Sequence, residues 1–233
     1  MNAESKGQKV NKKSSPTKWI VAGIAVVLVV IAAVAIVGGG SDSGTSSSTT
    51  VVASGDGATG AAEFQPVTYT GDALPALEGS APAVGTDPAV GTAAPVLKGH
   101  AFNGMEMTIK ASGQPMLLVF LAHWCPHCNA EIPRLIEWKA SGDLPETVQV
   151  IGITTGSRDD QVNWPPSQWI VNMEWPWSVM ADSETQDAAL AMGVSGYPGL
   201  VLIGGDGKVL ARRSGEASIS ELNDWLAAAL PGA

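Results

Sequence analysis

Two cysteines, Cys125 and Cys128, stand in the run Trp124-Cys125-Pro126-His127-Cys128, and they are the only thiols in a chain of 233 residues. A pair this close in sequence closes no long loop, so its use is reactivity rather than cross-linking. If the pair opens a helix, the first sulfur faces unsatisfied backbone N–H groups and the positive end of the helix dipole, which favours thiolate over thiol. Cys125 is then the expected nucleophile toward a partner's disulfide, and Cys128, one turn deeper, the expected resolving thiol. Pro126 fits the first helical turn, where its missing N–H costs nothing, and His127 adds a side chain that can become cationic near the sulfur. Both are expected to tune the pKa of Cys125. A stabilised thiolate favours the reduced form and makes the oxidised form a stronger oxidant.

The elements around the pair read as a strand-helix-strand unit. Met116 to Ala122 is a continuous apolar run of the kind found in strands buried on both faces. From Cys125 onward Ile132, Leu135, Ile136 and Trp138 recur at helical spacing, and Gly142 lies where a helix stop belongs. Val148 to Thr154 predicts a second buried strand, parallel to the first. Met105 to Ile109 predicts a short strand, a helix capped by Asp182 or Ser183 runs to Met192, and Leu200–Ile203 with Val209–Ala211 predicts a hairpin. A last helix is predicted from a Ser218/Glu221 capping box, with Ile219, Leu222, Trp225, Leu226 and Ala229 on its buried face.

Outside this unit, composition separates the chain into parts. The formal net charge is −9, yet Lys6, Lys9, Lys12, Lys13 and Lys18 all precede one apolar block. The acidic remainder has no basic stripe to neutralise phosphates, which argues against nucleic acid as a partner. Residues 1–18 read as a basic cytoplasmic N-terminus. Residues 19–37 carry no charge and as a helix would span about 28 Å, the thickness of a bilayer core. The positive-inside rule then places the body of the chain outside the cell membrane, as a single-pass protein. A cleaved signal peptide at Ala33-Val34-Ala35 is the alternative, against which stands the length of the apolar stretch. Residues 38–90, rich in Gly, Ser, Thr, Ala and Pro, read as a flexible linker, and the folded domain is expected over 91–233.

The segment LAHWCPHCNAEIPRL resembles the active-site segment of the membrane-anchored TlpA/ResA-like branch of the thioredoxin superfamily, whose W-C-x-x-C-x-x-E-x-P pattern matches Trp124, Cys125, Cys128, Glu131 and Pro133. The opening GTAAPVLKGHAFNG is similar to that branch's G-x-x-A-P start, and Gly193 to Pro198 resembles the superfamily's G-V-x-x-x-P loop. The resemblance spans about Gly91 to Ala229. It implies an α/β thioredoxin-like fold, a central mixed β-sheet flanked by helices, behind an N-terminal transmembrane helix and flexible linker. It further implies a cis peptide before Pro198, which would bring the backbone of Tyr197 beside the cysteines as a docking edge for an extended substrate. Trp124 would stand at the rim of the site, and residues 158–182 match the branch's central insertion. Val119 occupies the place where thioredoxin itself carries a buried acid, leaving Glu131 as the available proton acceptor. The Pro-His dipeptide resembles that of the oxidant DsbA more than typical reductive members of the branch, so the direction of electron flow stays open.

These features predict an extracytoplasmic thiol-disulfide oxidoreductase that needs no organic cofactor, its redox group being the Cys125–Cys128 pair. The expected partners are envelope protein thiols or disulfides, apocytochrome c among them, and a membrane redox partner. A copper-binding metallochaperone is the alternative, since thiolates beside an imidazole suit copper. Structural zinc would need four ligands, and His100, His123 and His127 are the only histidines left to complete a site. A peroxiredoxin-like site would need a Pro-x-x-x-Thr-x-x-Cys run, which is missing. Glu131 reads equally as a solvated helix residue. Trp164, Trp169, Trp175 and Trp177 read as the small core of the insertion rather than a substrate surface.

Overall fold

The computed structural model describes residues 62–82 and 85–230. Its centre is β4 (Met116–Leu121), buried at every position. Leu117, Val119 and Leu121 pack on one face with the cysteines, while Met116, Leu118 and Phe120 pack on the other. A strand covered on both sides needs apolar residues at every position rather than at alternate ones.

Beside β4 lie β5 (Gln149–Thr154), parallel to it, and β7 (Gly199–Ile203), antiparallel to it. β6 (Ser178–Ala181) extends the parallel side, and β8 (Val209–Ser214) pairs antiparallel with β7. On the far edge β2 (Val96–His100) meets β6 through the single pairing of His100 with Ala181 and also pairs with β1 (Thr68–Thr70) and β3 (Glu106–Ile109). The order is β1-β2-β6-β5-β4-β7-β8, a mixed sheet. α1 (Pro126–Ala140) and α4 (Ile219–Ala229) supply Ile132, Leu135, Trp138, Leu222 and Leu226 to one layer. α3 (Asp187–Ala191) supplies Ala188, Ala189 and Ala191 to the other. This is the thioredoxin-like α/β architecture that the resemblance implied.

The expected linker is corrected where it is described. The segment from Ala62 onward belongs to the fold, and the domain start moves back from Gly91. Val67, Leu74 and Leu77 are buried, Leu74 N–H donates to Ala191 O at 2.9 Å, and Leu77 N–H donates to Gly193 O at 2.8 Å. Asp87 forms a buried pair with Arg212 of β8, accepting from Nη2 at 2.6 Å and from Nε at 2.8 Å. Backbone bonds and one ion pair hold a stretch whose apolar residues alone are too sparse to order it. The apolar block at 19–37 and the linker as far as residue 61 lie outside the described residues. Among the described residues no helix is long and apolar enough to cross a membrane.

Two further expectations are adjusted. The helix predicted up to Met192 is shorter, because Gln186 adopts φ 62° and blocks earlier helical turns. Asp182 still caps it from a distance, accepting from the N–H groups of Ser183, Ala188 and Ala189 at 2.8 to 3.2 Å. Within the insertion, α2 (Pro166–Asn172) carries Trp169 into the core and forms the crossover between β5 and β6. Trp175 and Trp177 meet edge to face at 4.7 Å. The capping box of α4 is formed, with Glu221 N–H donating to Ser218 Oγ and Ser218 N–H donating to the Glu221 carboxylate.

Candidate active site

β4 ends at the sheet edge where α1 begins, so the turn between them delivers the cysteines to the carboxyl end of the central strand. Cys125 is the N-cap of α1, with extended backbone, and Pro126 occupies the first turn. Both cysteines are free thiols and both are buried, Cys125 with 5% of its surface exposed and Cys128 with none. The amide expected at the first sulfur is found at the second: Ala122 N–H approaches Cys128 Sγ at 3.4 Å. That bond does not offset desolvation, and burial pushes the Cys128 thiol far above the ordinary thiol range. Cys125 Sγ instead points at the carbonyl oxygen of Tyr197, 3.6 Å away.

The Tyr197–Pro198 peptide is cis, as the resemblance implied for Pro198. Tyr197 is anchored through its hydroxyl, which donates to Gln186 Oε1 at 2.6 Å, and burial raises its phenol pKa. Its ring meets the edge of Trp124 at 6.3 Å. Trp124 Nε1–H donates to Gly156 O at 2.8 Å, and the Arg158 guanidinium lies 6.0 Å from the indole centroid. Gly156 has φ +58° and a Cβ there would press on the Tyr197 ring, so only glycine fits without moving it. Trp124, Tyr197 and Pro198 thus line one rim beside Cys125.

Glu131, which the sequence left open, is fully buried one turn beyond Cys128. Its Oε2 accepts from Ala217 N–H and from Arg134 Nη1, each at 3.1 Å, while Oε1 has no hydrogen-bond partner. Burial pushes its carboxyl above the usual range. The solvated reading of Glu131 is therefore set aside. His127 is exposed, and its Nδ1 lies 2.6 Å from Glu216 Oε1.

Four further contributors are not specified by the W-C-x-x-C-x-x-E-x-P pattern. Arg134 and Glu216 frame Glu131 and His127. Asn129 donates to Cys125 O at 2.9 Å and accepts from Trp169 Nε1–H at 2.9 Å, tying the site to the insertion. His123 is buried with both ring nitrogens engaged, Nδ1 at 2.7 Å from Val162 O and Nε2 accepting from Arg158 N–H at 3.1 Å. Only the adjacency of Asn129 and His123 to the cysteines marked them. Among the described residues no three His, Cys, Asp or Glu side chains gather as a metal site.

The model of the AhpC/TSA family matches residues 90–212, more than half of the chain. The chain belongs to the AhpC/TSA family. Among curated relatives it is similar to the thiol:disulfide interchange protein HelX of Rhodobacter capsulatus, 29% identical over 161 residues that cover 68% of this chain and 81% of HelX. It is also similar to the thiol:disulfide interchange protein DsbE of Yersinia pestis, 30% identical over 128 residues, 54% of this chain. The match spans 61% of that relative, and a match to a probable nucleoredoxin of Arabidopsis thaliana spans 17% of it. Among solved structures, a putative DsbE from Chlorobium tepidum is 24% identical, with a TM-score of 0.49 over 60% of this chain and 97% of that one. The relatives and the cysteine site together support a thiol-disulfide oxidoreductase domain.

Proposed function

We propose that the protein exchanges disulfides with envelope proteins through Cys125 and Cys128, as a membrane-anchored member of the TlpA/ResA-like branch held by residues 19–37. The observation that carries this reading is the placement of Cys125 Sγ 3.6 Å from Tyr197 O, beside the cis peptide to Pro198, with Cys128 buried directly behind. An extended segment pairing with the Tyr197 edge would bring its sulfur to Cys125.

In the reducing direction, the Cys125 thiolate attacks one sulfur of a partner disulfide. The partner's S–S bond breaks, and its leaving sulfur takes the electron pair and then a proton. Cys128 gives its proton to Glu131 and attacks Cys125 Sγ, breaking the mixed disulfide and releasing the second partner thiolate. The partner gains two electrons, and Cys125–Cys128 becomes a disulfide. Run backwards, the same path oxidises a dithiol, and the potential of the pair relative to its redox partner sets the direction, with about 30 mV equal to 1.4 kcal/mol. An envelope apocytochrome c is the substrate to try first, in keeping with the TlpA/ResA-like resemblance, and a membrane protein would renew the pair. No organic cofactor enters this scheme.

The test uses the full chain with Cys128→Ser, incubated with an oxidised dithiol protein. A stable adduct that carries Cys125 and is released by reductant is expected. Normal exchange after Cys125→Ser would overturn the proposal.

A further inference from the structure

Glu216 lies in the turn between β8 and α4 and belongs to no motif of the sequence. Its two oxygens face different residues of α1: Oε1 is 2.6 Å from His127 Nδ1, and Oε2 is 2.6 Å from Arg134 Nη1. The same Nη1 donates to Glu131 Oε2 at 3.1 Å. The next residue of the turn completes the grip, since Ala217 N–H donates to that same Glu131 oxygen at 3.1 Å. One turn thus holds the helix at the exposed rim, through His127, and at the buried acid behind Cys128.

We infer that Glu216 is a positioning residue that shares the Arg134 guanidinium with the buried Glu131 and fixes the His127 imidazole at the rim of the site. The inference rests on the reading of Glu131 as the proton acceptor for Cys128. Glu216 accepts only, so His127 Nδ1 must carry the proton of their contact, and the ring's orientation follows from it. For Glu131 the consequence is electrostatic. An unshared Arg134 would lend its charge to one carboxylate and favour that carboxylate's ionised form. Shared, it is drawn toward Glu216, whose own negative charge adds to the cost of ionising Glu131.

The other charged groups nearby are Arg213 of β8 and Glu221 of α4. Arg213 faces Glu131 and donates to Glu216 O at 3.3 Å, and Glu221 faces both arginines. Cys128 is fully buried one turn before Glu131, whose negative charge adds to the cost of ionising the thiol. Among these, Glu216 is the one that also reaches His127. A buried base whose proton affinity is held up by a second carboxylate takes the Cys128 proton more readily than one fully neutralised by arginine.

Sharing makes a prediction of opposite signs. In the full chain, carboxyl titration of Glu131 is followed by carbon NMR, with the signal assigned through Glu131→Gln. Glu216→Gln should lower the Glu131 midpoint by about half a unit or more, because the guanidinium then belongs to Glu131 alone. Arg134→Gln should raise it. The pH at which Cys128 resolves a mixed disulfide should move the same way in each variant, and Glu216→Asp should restore part of the wild-type profile. Midpoints that stay at the wild-type value, or that move in the same direction in both variants, overturn the role of Glu216. Exchange with a disulfide peptide is measured on the same samples. Its absence in the wild type retires the proposed function, whereas exchange with an unmoved Glu131 midpoint retires only the inference about Glu216.

Discussion

Cys125 Sγ and the carbonyl oxygen of Tyr197 face each other across 3.6 Å, although the residues are 72 positions apart. The contact joins the start of α1 to the loop before β7 and sets the sulfur beside the backbone proposed to dock the partner. Cys125→Ser is expected to abolish exchange, since the serine hydroxyl is a poor nucleophile at neutral pH. Cys128→Ser should leave the first attack intact and accumulate the mixed disulfide. Mass spectrometry of the quenched reaction separates the two, and adduct formation by the Cys125 variant would contradict the assignment.

Replacing Glu131 by Gln removes a buried acid whose Oε1 has no partner. Burial raises its pKa in the fold, so the fold favours the protonated form more than the unfolded chain does. Its contribution to stability is therefore complete below the unfolded carboxyl pKa and is lost as pH rises through the folded value. Glu131→Gln should gain stability relative to the wild type as pH rises above the unfolded carboxyl pKa of about 4.3, read as urea midpoints. Resolution by Cys128 should slow by about 100-fold, the low end for loss of a positioned base. A stability difference that does not vary with pH would remove the argument.

The difference in legibility between these residues is physical. The buried strand β4, the cysteine pair and the capping box of α4 are set by neighbours within a few positions, and a single sequence displays them. Glu131 shows in its motif spacing but not in its burial, because the residues that cover it, Ala217 among them, lie 86 positions away. Glu216 reaches His127 across 89 positions and Asp87 reaches Arg212 across 125, and no local pattern announces either. The segment before Gly91 misled for the same reason. Its composition is that of a tether, but its order comes from long-range bonds to α3 and β8.

That buried pair can be tested directly. The Arg212 guanidinium holds the Asp87 carboxyl below the usual carboxylate range, and its Nη1 also donates to Pro75 O at 2.8 Å and Met192 O at 3.1 Å. Asp87→Ala leaves a charge with 1% of its side chain exposed and no counterion, and should cost about 3–5 kcal/mol. With a lowered folded pKa, the wild-type contribution is present above the unfolded carboxyl pKa and lost as pH falls through the folded one. The deficit of Asp87→Ala, from urea melts, should therefore shrink in acid. Adding Arg212→Met should recover part of the loss, because it removes the orphaned charge. A double variant less stable than the single would count against the pair.

His123 offers the last test, because its ring is fully buried and both nitrogens already have partners. Val162 O takes the proton on Nδ1, and Arg158 N–H donates to Nε2, so the neutral ring satisfies both. A second proton on Nε2 would oppose the Arg158 N–H. Desolvation lowers the pKa of His123, against the hydrogen bond to Val162 O and the Glu63 carboxylate, which both raise it. A depressed folded pKa means that the stabilising contribution is full above the ordinary histidine value, about 6.5, and is lost as pH falls through the folded value. The segment that depends on it, from Gly156 to Asn163, carries the carbonyl that holds Trp124 and the side chain that binds His123 O. Acid should therefore loosen the Trp124 rim before the sheet unfolds. Nitrogen–proton NMR should show the Arg158 amide shifting in acid while the amides of β4 stay fixed, and His123→Asn should lose that step. An Arg158 amide that moves only with global unfolding would show that the ring does not govern this loop.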